Sequence, residues 1–347
     1  MATQIALAIT EIEKPLTRIT LPVPVSADLQ ADELLIKLTA AGFAPLDQKL
    51  RDKNLFNIGS RLPAVIGGDL VGEVVGTGVN ATFPVGTHVF SQVLFQNPRG
   101  GSLQEYTVIN GVYAAEVPAG IADEEAALYP INAMTSAMAL FTVQGLGIPF
   151  PGSPESANFD YASQKLAIIG GGSNTGKLAI QLARIAGIGT IVATASPSSA
   201  AELKSLGATH VISRTDTNIE EQVRDIVGDD LVYVYDTFNL GNHSLGVSLL
   251  SNSKKGNFVA NVIGQADETV LAAKKGGVES KRIQGFSHGI PEFGQAFWKQ
   301  LPIWIGNGTI KPMKYKVIDG LDAAKVNSAL DEYRDGKGGA RHHVRIA

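Results

Sequence analysis

A glycine-rich stretch most strongly limits what this chain folds into. Apolar residues 166–169 follow Lys165 and lead into three glycines that begin at Gly170, and an amphipathic helical pattern then runs from Gly176 to Arg184. A buried strand, a tight glycine turn and a helix in that order open a βαβ unit, in which backbone N–H groups at the helix start approach a phosphate. The sequence therefore indicates a site for a phosphate-bearing cofactor.

The glycine motif departs from its usual form. From Gly171 the chain reads Gly-x-Ser-x-x-Gly, so a serine stands at the central glycine position of G-x-G-x-x-G. A second interpretation, in which the glycines only form a tight turn, therefore stays open. Under the first interpretation the residues that line the phosphates are Gly172, Ser173, Asn174, Thr175 and Gly176.

Strand-like and helix-like runs alternate from residue 164 to residue 286. The six strand-like runs are residues 165–170, 190–195, 210–213, 231–237, 257–262 and 281–286. The helix-like runs between them are residues 176–186, 198–206, 219–227 and 243–250. This alternation predicts right-handed crossovers and a Rossmann-like, doubly wound sheet of six parallel strands.

The first 128 residues have a different pattern. Short β-rich runs at residues 34–41, 64–76 and 88–94 are separated by Gly, Pro and Asn turns, which predicts a mainly antiparallel unit. The C-terminal segment adds strand-like residues 314–318 and 342–346 around a helical pattern at 321–333. We therefore predict one domain from residues 1–128 and 309–347, and a dinucleotide-binding domain from residues 129–308.

Composition excludes several classes of protein. The chain has 347 residues, a formal net charge of −4 and scattered lysines and arginines, which argues against a nucleic-acid partner. It has no cysteine, so disulfides, thiolate nucleophiles and zinc sites built on sulfur are excluded. No apolar run is long enough for a membrane helix, and a cytoplasmic location is expected. The Lys274–Lys275 pair is expected to be solvated.

Several separated segments resemble the medium-chain dehydrogenase/reductase superfamily over essentially the whole chain. They are residues 35–49, 66–78, 85–90 and 126–137 together with the glycine-rich loop. The likeness is to the zinc-independent quinone reductase and enoyl reductase branch, and most of all to fungal trans-acting enoyl reductases, which residues 291–298 also resemble. The resemblance implies the α/β fold class, with a β-rich GroES-like catalytic domain beside the Rossmann-like domain.

The resemblance also allows a test for zinc. Alcohol dehydrogenases of this superfamily hold a metal ion through two cysteines and a histidine in these segments. Here Ala44 and Ile131 stand at the cysteine positions and Gly68 at the histidine position. None of the three side chains carries a ligand atom, so we expect a metal-free protein.

The end of the second strand indicates which dinucleotide binds. An Asp or Glu about 20 residues after the loop is typical of NAD sites, and none is present. Ser196 and Ser199 form a neutral turn there, which favours NADPH. Arg214, where the resembled family often has a tyrosine, is the candidate cation for the 2′-phosphate, and the first-turn residue Lys177 is a second candidate. A solvated arginine is the alternative.

The nicotinamide end of the cofactor has two candidate contacts. The resemblance places Thr135, on the helix that enters the cofactor domain, near the nicotinamide ring. Val262, at the end of the fifth predicted strand, is a second contact. The alternative for Thr135 is a hydroxyl bonded to its own helix backbone.

Lys49 is the candidate catalytic residue. It matches the lysine of an Asn-Pro-x-Asp-x-Lys-like segment in the resembled enoyl reductases, although Ala44 replaces the asparagine. Its role is proton donation, cofactor binding or substrate orientation, and an ordinary surface lysine is the alternative. Tyr106 and Tyr129 are further phenols, for which buried structural hydrogen bonds are the favoured interpretation.

These features predict an NADPH-dependent, zinc-independent reductase of activated C=C bonds. Hydride would add to the β carbon of an apolar conjugated carbonyl substrate: an enone, a quinone or an enoyl thioester. Two alternatives remain: a carbonyl reductase or alcohol dehydrogenase on the same scaffold, and an NADPH-binding accessory protein that acts only with a biosynthetic synthase partner. A homodimer is a further expectation.

Overall fold

The chain forms two compact units. A computed structural model describes residues 2–239, 241–262, 264–337 and 340–346. The first unit comprises Met1–Ile131, Phe286–Gly308 and Pro312–Ala347, and the second comprises Asn132–Gly285 and Thr309–Lys311.

Strands dominate the N-terminal part of the chain. They are β1 Thr3–Ile9, β2 Thr17–Pro22, β3 Glu33–Phe43, β4 Ala64–Val65, β5 Asp69–Thr77, β6 His88–Gln92, β7 Tyr106–Asn110 and β8 Ala114–Glu116. The helices are α1 Pro45–Lys53, α2 Asp123–Ala126 and α3 Pro130–Phe141. Proline at the first position of α1 and of α3 fits the place in a helix where a missing N–H does no harm.

Strands and helices alternate through the second unit. The strands are β9 Lys165–Ile169, β10 Thr190–Ala195, β11 His210–Ser213, β12 Tyr233–Asp236, β13 Gly256–Ala260 and β14 Val278–Arg282. The helices are α4 Asn174–Ala186, α5 Ala200–Leu206, α6 Ile219–Val227, α7 Ser244–Leu249 and α8 Glu268–Ala272. The chain then ends with α9 Pro291–Gly306, β15 Tyr315–Asp319, α10 Ala323–Arg334 and β16 Arg341–Arg345.

The two units have different sheets. In the second unit six strands, all parallel, lie in the order β11-β10-β9-β12-β13-β14. The first unit has a sheet in the order β15-β16-β3-β5-β6-β8, with β7 also paired to β3, and a smaller sheet β2-β1-β4. Apart from the parallel β15–β16 pair, the strand pairs of the first unit are antiparallel. The predicted fold class is therefore confirmed.

The order of the parallel strands places the candidate cofactor loop. The second and third strands lie on one side of β9 and the fourth to sixth on the other, so the chain changes direction between β9 and β12. Ligands of doubly wound sheets bind beyond the carboxyl ends of the strands at such a switch point. The glycine-rich loop follows β9 directly.

Each unit has its own apolar core. In the first unit Leu7, Ile36, Val74 and Val344 are among the residues that pack between the sheets and the helices. In the second unit the buried side chains of β9, β12 and β13 pack against α6 and α7. The alternating apolar runs of the sequence supply both cores, because they become strands with one or two buried faces.

The sixth predicted strand is displaced. Residues 281–286 were predicted to be extended, whereas β14 runs from Val278 to Arg282. The turn at Gly277, which has φ of +80°, sets the register with β13. The strand was hidden from a hydrophobicity pattern because it lies at the edge of the sheet and carries Glu279, Lys281 and Arg282.

The predicted domains differ from the observed units at residues 129–131, 286–308 and 309–311, and the longest difference is at 286–308. Residues 286–308 were assigned to the dinucleotide-binding domain, but they group with the first unit. Trp298 of α9 packs edge-to-face on Phe90 with 5.5 Å between the ring centroids, and its indole N–H donates to Ser287 Oγ at 2.8 Å. Ser287 Oγ in turn donates to Gln92 Oε1 at 3.0 Å. These buried contacts tie the segment to β6.

No helix among the described residues combines the length and the apolar content that a bilayer crossing requires.

Candidate functional site

Ser173 explains why the glycine motif lacks its central glycine. The backbone at Ser173 is extended, with φ of −70° and ψ of 158°, so no glycine is required there. Its Oγ caps α4 by accepting the N–H of Gly176 at 2.9 Å. Gly170, with φ of +75°, makes the turn after β9. The backbone conformation at this position therefore accommodates a serine as well as a glycine.

Three N–H groups of this loop are free to bind an anion. The backbone N–H groups of Gly172, Asn174 and Thr175 donate to no acceptor in the part of the chain that the structure describes. They lie at the N-terminus of α4, a helix of 13 residues whose dipole adds partial positive charge. Such an arrangement can bind an anion such as a phosphate.

Gly176 and Gly172 differ in how much space surrounds them. A Cβ at Gly176 would lie 2.4 Å from the Gly170 carbonyl oxygen and 2.8 Å from Gly171 Cα, so only glycine allows α4 to start against the loop. A Cβ at Gly172 would have its nearest neighbour, Ser199 Oγ, at 3.6 Å. Gly176 is therefore required by packing, whereas Gly172 leaves open space beside the loop.

Three side chains that the sequence did not single out hold the loop in place. Thr237, directly after β12, donates to the Ile169 carbonyl at 2.8 Å and shares a hydrogen bond of 2.9 Å with Ser173. Ser136 of α3 donates to the Thr175 carbonyl at 2.9 Å. Asn132 accepts from Thr175 Oγ1 at 3.2 Å. The sequence feature that could have identified Thr237 is a hydroxyl side chain at the carboxyl end of the strand that pairs with β9.

The turn after β10 lies beside the loop. Ser196 and Ser198 share a hydrogen bond of 2.9 Å between their hydroxyls, and the N–H of Ser199 donates to the Ser196 carbonyl at 2.9 Å. Lys177, the second candidate for the 2′-phosphate, instead pairs with Glu202 at 2.7 Å and is 9% exposed. Lys177 is therefore engaged within the fold, and Glu202 has a cation beside it.

Arg214 lies at the same edge of the sheet. Its N–H donates to the Ala195 carbonyl at 2.8 Å, which places it level with Ser196. The side chain is exposed, and none of the salt bridges found among the described residues includes it. Its guanidinium Cζ lies 6.0 Å from the ring centroid of Phe238. The positive charge of Arg214 is therefore available to bind an anionic group of a ligand.

The two candidate nicotinamide contacts are less fully defined. Thr135 is half-buried, and a Cβ at Gly285 would lie 2.1 Å from its Oγ1, so this glycine allows Thr135 to pack closely. Val262 is half-buried two residues beyond the end of β13. Both lie in the second unit with the loop.

Lys49 lies on α1 in the first unit and is half-buried. Its ammonium group makes no hydrogen bond or salt bridge with any residue that the structure describes. Burial lowers the pKa of Lys49 from its usual 10.5. A partly desolvated lysine without a carboxylate partner is better suited to proton transfer than a solvated one.

The three positions tested for zinc lie together but offer no ligand. A Cβ at Gly68 would lie 2.0 Å from Ile131 Cδ1 and 3.2 Å from Phe95 Cζ, so apolar atoms fill the space beside Gly68. Ala44 donates its N–H to Asp47 at 2.7 Å, and Gly67 donates to the same carboxylate at 2.8 Å. A catalytic zinc ion does not fit this set of side chains.

The carboxylates nearest these positions are committed to the fold. Asp69 and Arg341 form a fully buried ion pair. Asp69 also accepts the N–H of Ile131 at 2.7 Å, and Arg341 donates to the Leu128 carbonyl at 3.1 Å. Burial raises the pKa of Asp47 to about 7. We name Asp47, Asp69 and Arg341 the buried charge cluster.

The remaining aromatic candidates serve packing. The Tyr129 hydroxyl is buried and donates to Glu125 at 3.4 Å, and burial raises its pKa, which makes it a poor proton donor. Tyr106 is half-buried on β7.

Two known families match the chain. The alcohol dehydrogenase GroES-like domain matches residues 30–119, and the zinc-binding dehydrogenase family matches residues 175–300. The first range falls within the first unit, and the second covers most of the parallel sheet.

Individual relatives are similar over most of the chain. The trans-enoyl reductase himH of Aspergillus japonicus is 29% identical over 331 residues, which cover 91% of this chain and 90% of the relative. The trans-enoyl reductase tazE of Aspergillus terreus is 32% identical over 212 residues, which cover 59% of this chain and 67% of the relative. The native structure of mycobacterial Rv1454c complexed with NADPH has a TM-score of 0.76 at 20% identity, with 99% of each chain covered.

Proposed function

Because the chain belongs to the medium-chain dehydrogenase/reductase superfamily, we propose that it is an NADPH-dependent reductase of activated carbon–carbon double bonds that needs no metal ion. The observation that carries the proposal is the loop after β9, with its three free N–H groups at the start of α4. Relatives named as enoyl reductases support the reaction class.

The choice of NADPH over NADH is supported by the charges at the end of β10. No acidic side chain stands in the turn from Ser196 to Ser199, so nothing there would repel a 2′-phosphate. Arg214 is exposed and carries no carboxylate partner among the described residues. The mycobacterial protein of similar fold was solved with NADPH, which agrees with this choice.

The cofactor and the residues of this chain have separate roles in the proposed reaction. When bound, NADPH supplies a hydride, which is accepted by the β carbon of a conjugated carbonyl compound. The N–H groups of Gly172, Asn174 and Thr175 would hold the pyrophosphate, and Arg214 with Ser196 and Ser199 would hold the 2′-phosphate. The positively polarised N-terminus of α4 keeps the phosphates fixed while the reaction proceeds.

Lys49 supplies the acid in this proposal. Negative charge develops on the carbonyl oxygen of the substrate as the β carbon is reduced, and an ammonium group stabilises that charge by donating a hydrogen bond. Because burial lowers its pKa, Lys49 releases a proton more readily than a solvated lysine. If solvent supplies the proton, Lys49 instead binds the cofactor or orients the substrate.

Reduction of a carbonyl group on the same scaffold is the second candidate. Alcohol dehydrogenases of this superfamily polarise the carbonyl with zinc, and the side chains of Ala44, Gly68 and Ile131 cannot bind it. An apolar, conjugated carbonyl compound, whose β carbon is already electrophilic, needs less activation. This favours the double bond as the site of reduction.

A screen with product identification tests the proposal. The protein is incubated with NADPH and a panel of enones, quinones and enoyl thioesters, and each product is identified by mass spectrometry. The proposal predicts saturated ketones or thioesters and hydroquinones. Allylic alcohols from the enones would establish the carbonyl reductase instead.

The screen also tests whether a partner is required. We propose that a biosynthetic synthase, if one is needed, presents the substrate on a carrier. Tight NADPH binding without turnover of free substrates, followed by turnover of carrier-bound substrate, would indicate the accessory role. Turnover of free enones would show that no synthase is needed.

A further inference from the structure

Phe238 is an exposed aromatic residue that the proposed function does not explain. Its side chain is 56% exposed, although a phenyl ring gains free energy from burial. The guanidinium of Arg214 lies 6.0 Å from the ring centroid, within the range of a cation–π interaction. The two exposed residues therefore contact each other.

The strand order shows where this contact lies. Arg214 follows β11 and Phe238 follows β12, and two strands, β10 and β9, lie between them. Adjacent strands are about 4.8 Å apart, so the two backbones are separated by roughly 14 Å across the sheet. The side chains reach each other only by extending across the carboxyl ends of β10 and β9. The glycine-rich loop and the turn at Ser196 begin at those ends.

Phe238 is held firmly in this position. Its N–H donates to Asp236 Oδ1 at 3.0 Å, and the same oxygen accepts the N–H of Asn239 at 2.9 Å. Asp236 is 1% exposed, so the anchor is buried. A Cβ at Gly170 would lie 2.5 Å from Phe238 Cβ, so Phe238 packs directly over the first glycine of the loop.

We propose that Arg214 and Phe238 form a clasp for the 2′-phosphate of NADPH, in which Phe238 is a specificity-determining residue. The inference rests on the proposed use of NADPH. The face of the Phe238 ring attracts the guanidinium and holds it beside Ser196, where Arg214 binds the 2′-phosphate without first losing side-chain entropy. Phe238 acts on the phosphate through Arg214, which makes it a positioning residue.

The clasp predicts different effects for different substitutions of Phe238. Leucine keeps an apolar side chain but removes the ring face, so the guanidinium loses its attraction. Tyrosine keeps the ring face and should preserve the clasp. Leu271→Ala in α8 is the control, because Leu271 is also an exposed apolar side chain of the second unit, 41% exposed.

Binding of two nucleotides that differ only in the 2′-phosphate tests the clasp without any turnover. Isothermal titration calorimetry with 2′,5′-ADP and with 5′-AMP is carried out on the full chain and its variants. We expect Phe238→Leu to weaken 2′,5′-ADP about fivefold and 5′-AMP less than about twofold. Phe238→Tyr and Leu271→Ala should stay within about twofold for both ligands.

A double-variant cycle tests whether the two residues act together. Arg214→Gln should weaken 2′,5′-ADP more than tenfold, and adding Phe238→Leu should then have little further effect. An unchanged ratio of the two affinities in Phe238→Leu, or fully additive losses in the double variant, would overturn the clasp.

The outcomes also separate the clasp from the proposed function. Equal wild-type affinity for 2′,5′-ADP and 5′-AMP would overturn the clasp while leaving an NADH-dependent reductase intact. Clasp behaviour in the binding experiment, together with no reduction of any activated double bond, would reject only the proposed reaction.

Discussion

The polar groups of the two units differ in whether they have hydrogen-bonding or charged partners. At the carboxyl edge of the parallel sheet, the N–H groups of Gly172, Asn174 and Thr175 and the guanidinium of Arg214 are left without strong partners among the described residues. In the buried charge cluster of the first unit, Asp69 and Arg341 are each satisfied by the other and by nearby backbone groups. Capacity to bind a ligand therefore lies in the unpaired donors, whereas the buried charges stabilise the fold.

Substitution of Arg341 tests this difference between the two units most strongly. Arg341→Met leaves Asp69 buried without its cation, and we expect the free energy of unfolding to fall by about 3–5 kcal/mol. Urea unfolding followed by circular dichroism measures the loss. Arg345→Met, on the same strand, removes solvent-exposed pairs with Glu124 and Asp319 and should lower the free energy of unfolding by less than about 1 kcal/mol. Equal losses in the two variants would contradict the assignment.

Two alanine substitutions separate packing from ligand binding within the loop. Gly176→Ala brings a Cβ to 2.4 Å from the Gly170 carbonyl, so we expect about 100-fold weaker NADPH binding and a lower melting temperature. Gly172→Ala meets no close neighbour and should leave the melting temperature unchanged while weakening NADPH about tenfold, because the Cβ blocks the approach of a phosphate. Fluorescence titration and thermal unfolding measure both. A Gly172→Ala protein with unchanged NADPH affinity would contradict the placement of the phosphates.

Lys49 tests whether the first unit supplies chemistry as well as a core. We expect Lys49→Ala to lower kcat at least tenfold, since a general acid contributes about 100-fold or more when it acts alone. Lys53→Ala, at the exposed end of the same helix, is the matched control and should retain activity. A loss of less than threefold in a folded Lys49→Ala protein would remove Lys49 from the mechanism.

The pH profile gives a second readout for Lys49. Because burial lowers its pKa, the ammonium form is lost as the pH rises through a value below 10.5. We expect kcat of the wild type to fall on the alkaline side and the fall to be absent in Lys49→Ala. A fall in kcat that persists in the variant would assign the titration to another group.

His88 gives the smallest predicted effect. Its ring donates to Asp123 at 2.8 Å, and this hydrogen bond raises the pKa of His88 above 6.5. The folded protein therefore favours the protonated ring, and the stabilisation is present below the pKa of the unfolded chain and lost as the pH rises through the folded value. His88→Gln should lower stability by less than about 1 kcal/mol at about pH 5.5, because both side chains are partly exposed, and by less at about pH 8.5. A larger effect at the higher pH would reverse the assignment.

Much of the fold was readable from local patterns. Apolar runs and glycine turns predicted five of the six parallel strands near their observed positions. Four of them, β9, β10, β12 and β13, lie inside the sheet and are mostly buried, so their hydrophobicity is nearly continuous. The edge strand β14 was misplaced because its charged residues hide it. Residues 286–308 are predicted to belong to the dinucleotide-binding domain but group with the first unit, because long-range contacts such as that of Trp298 with Phe90 are not visible in a local sequence pattern.

The residues of the glycine-rich loop could be predicted from the sequence, but the side chains that hold the loop in place could not. The departure at Ser173 was visible in the sequence, whereas its role as a cap required the backbone angles. Thr237 and Phe238 directly follow β12, which is distant from the loop in sequence but adjacent to β9 in the sheet. Lys274 was expected to be solvated, yet its ammonium group donates to the Ser248 and Leu250 carbonyls, each at 2.6 Å. Such pairings depend on tertiary structure.

The measurement that tests the central claim most directly follows a deuterium label. NADPH deuterated at C4 of the nicotinamide, with each of the two faces labelled in turn, is supplied with an enone that the protein turns over, and the product is analysed by NMR. We predict a saturated ketone that carries the deuterium on the former β carbon. Deuterium on the carbinol carbon of an allylic alcohol would contradict reduction of the double bond and establish carbonyl reduction instead.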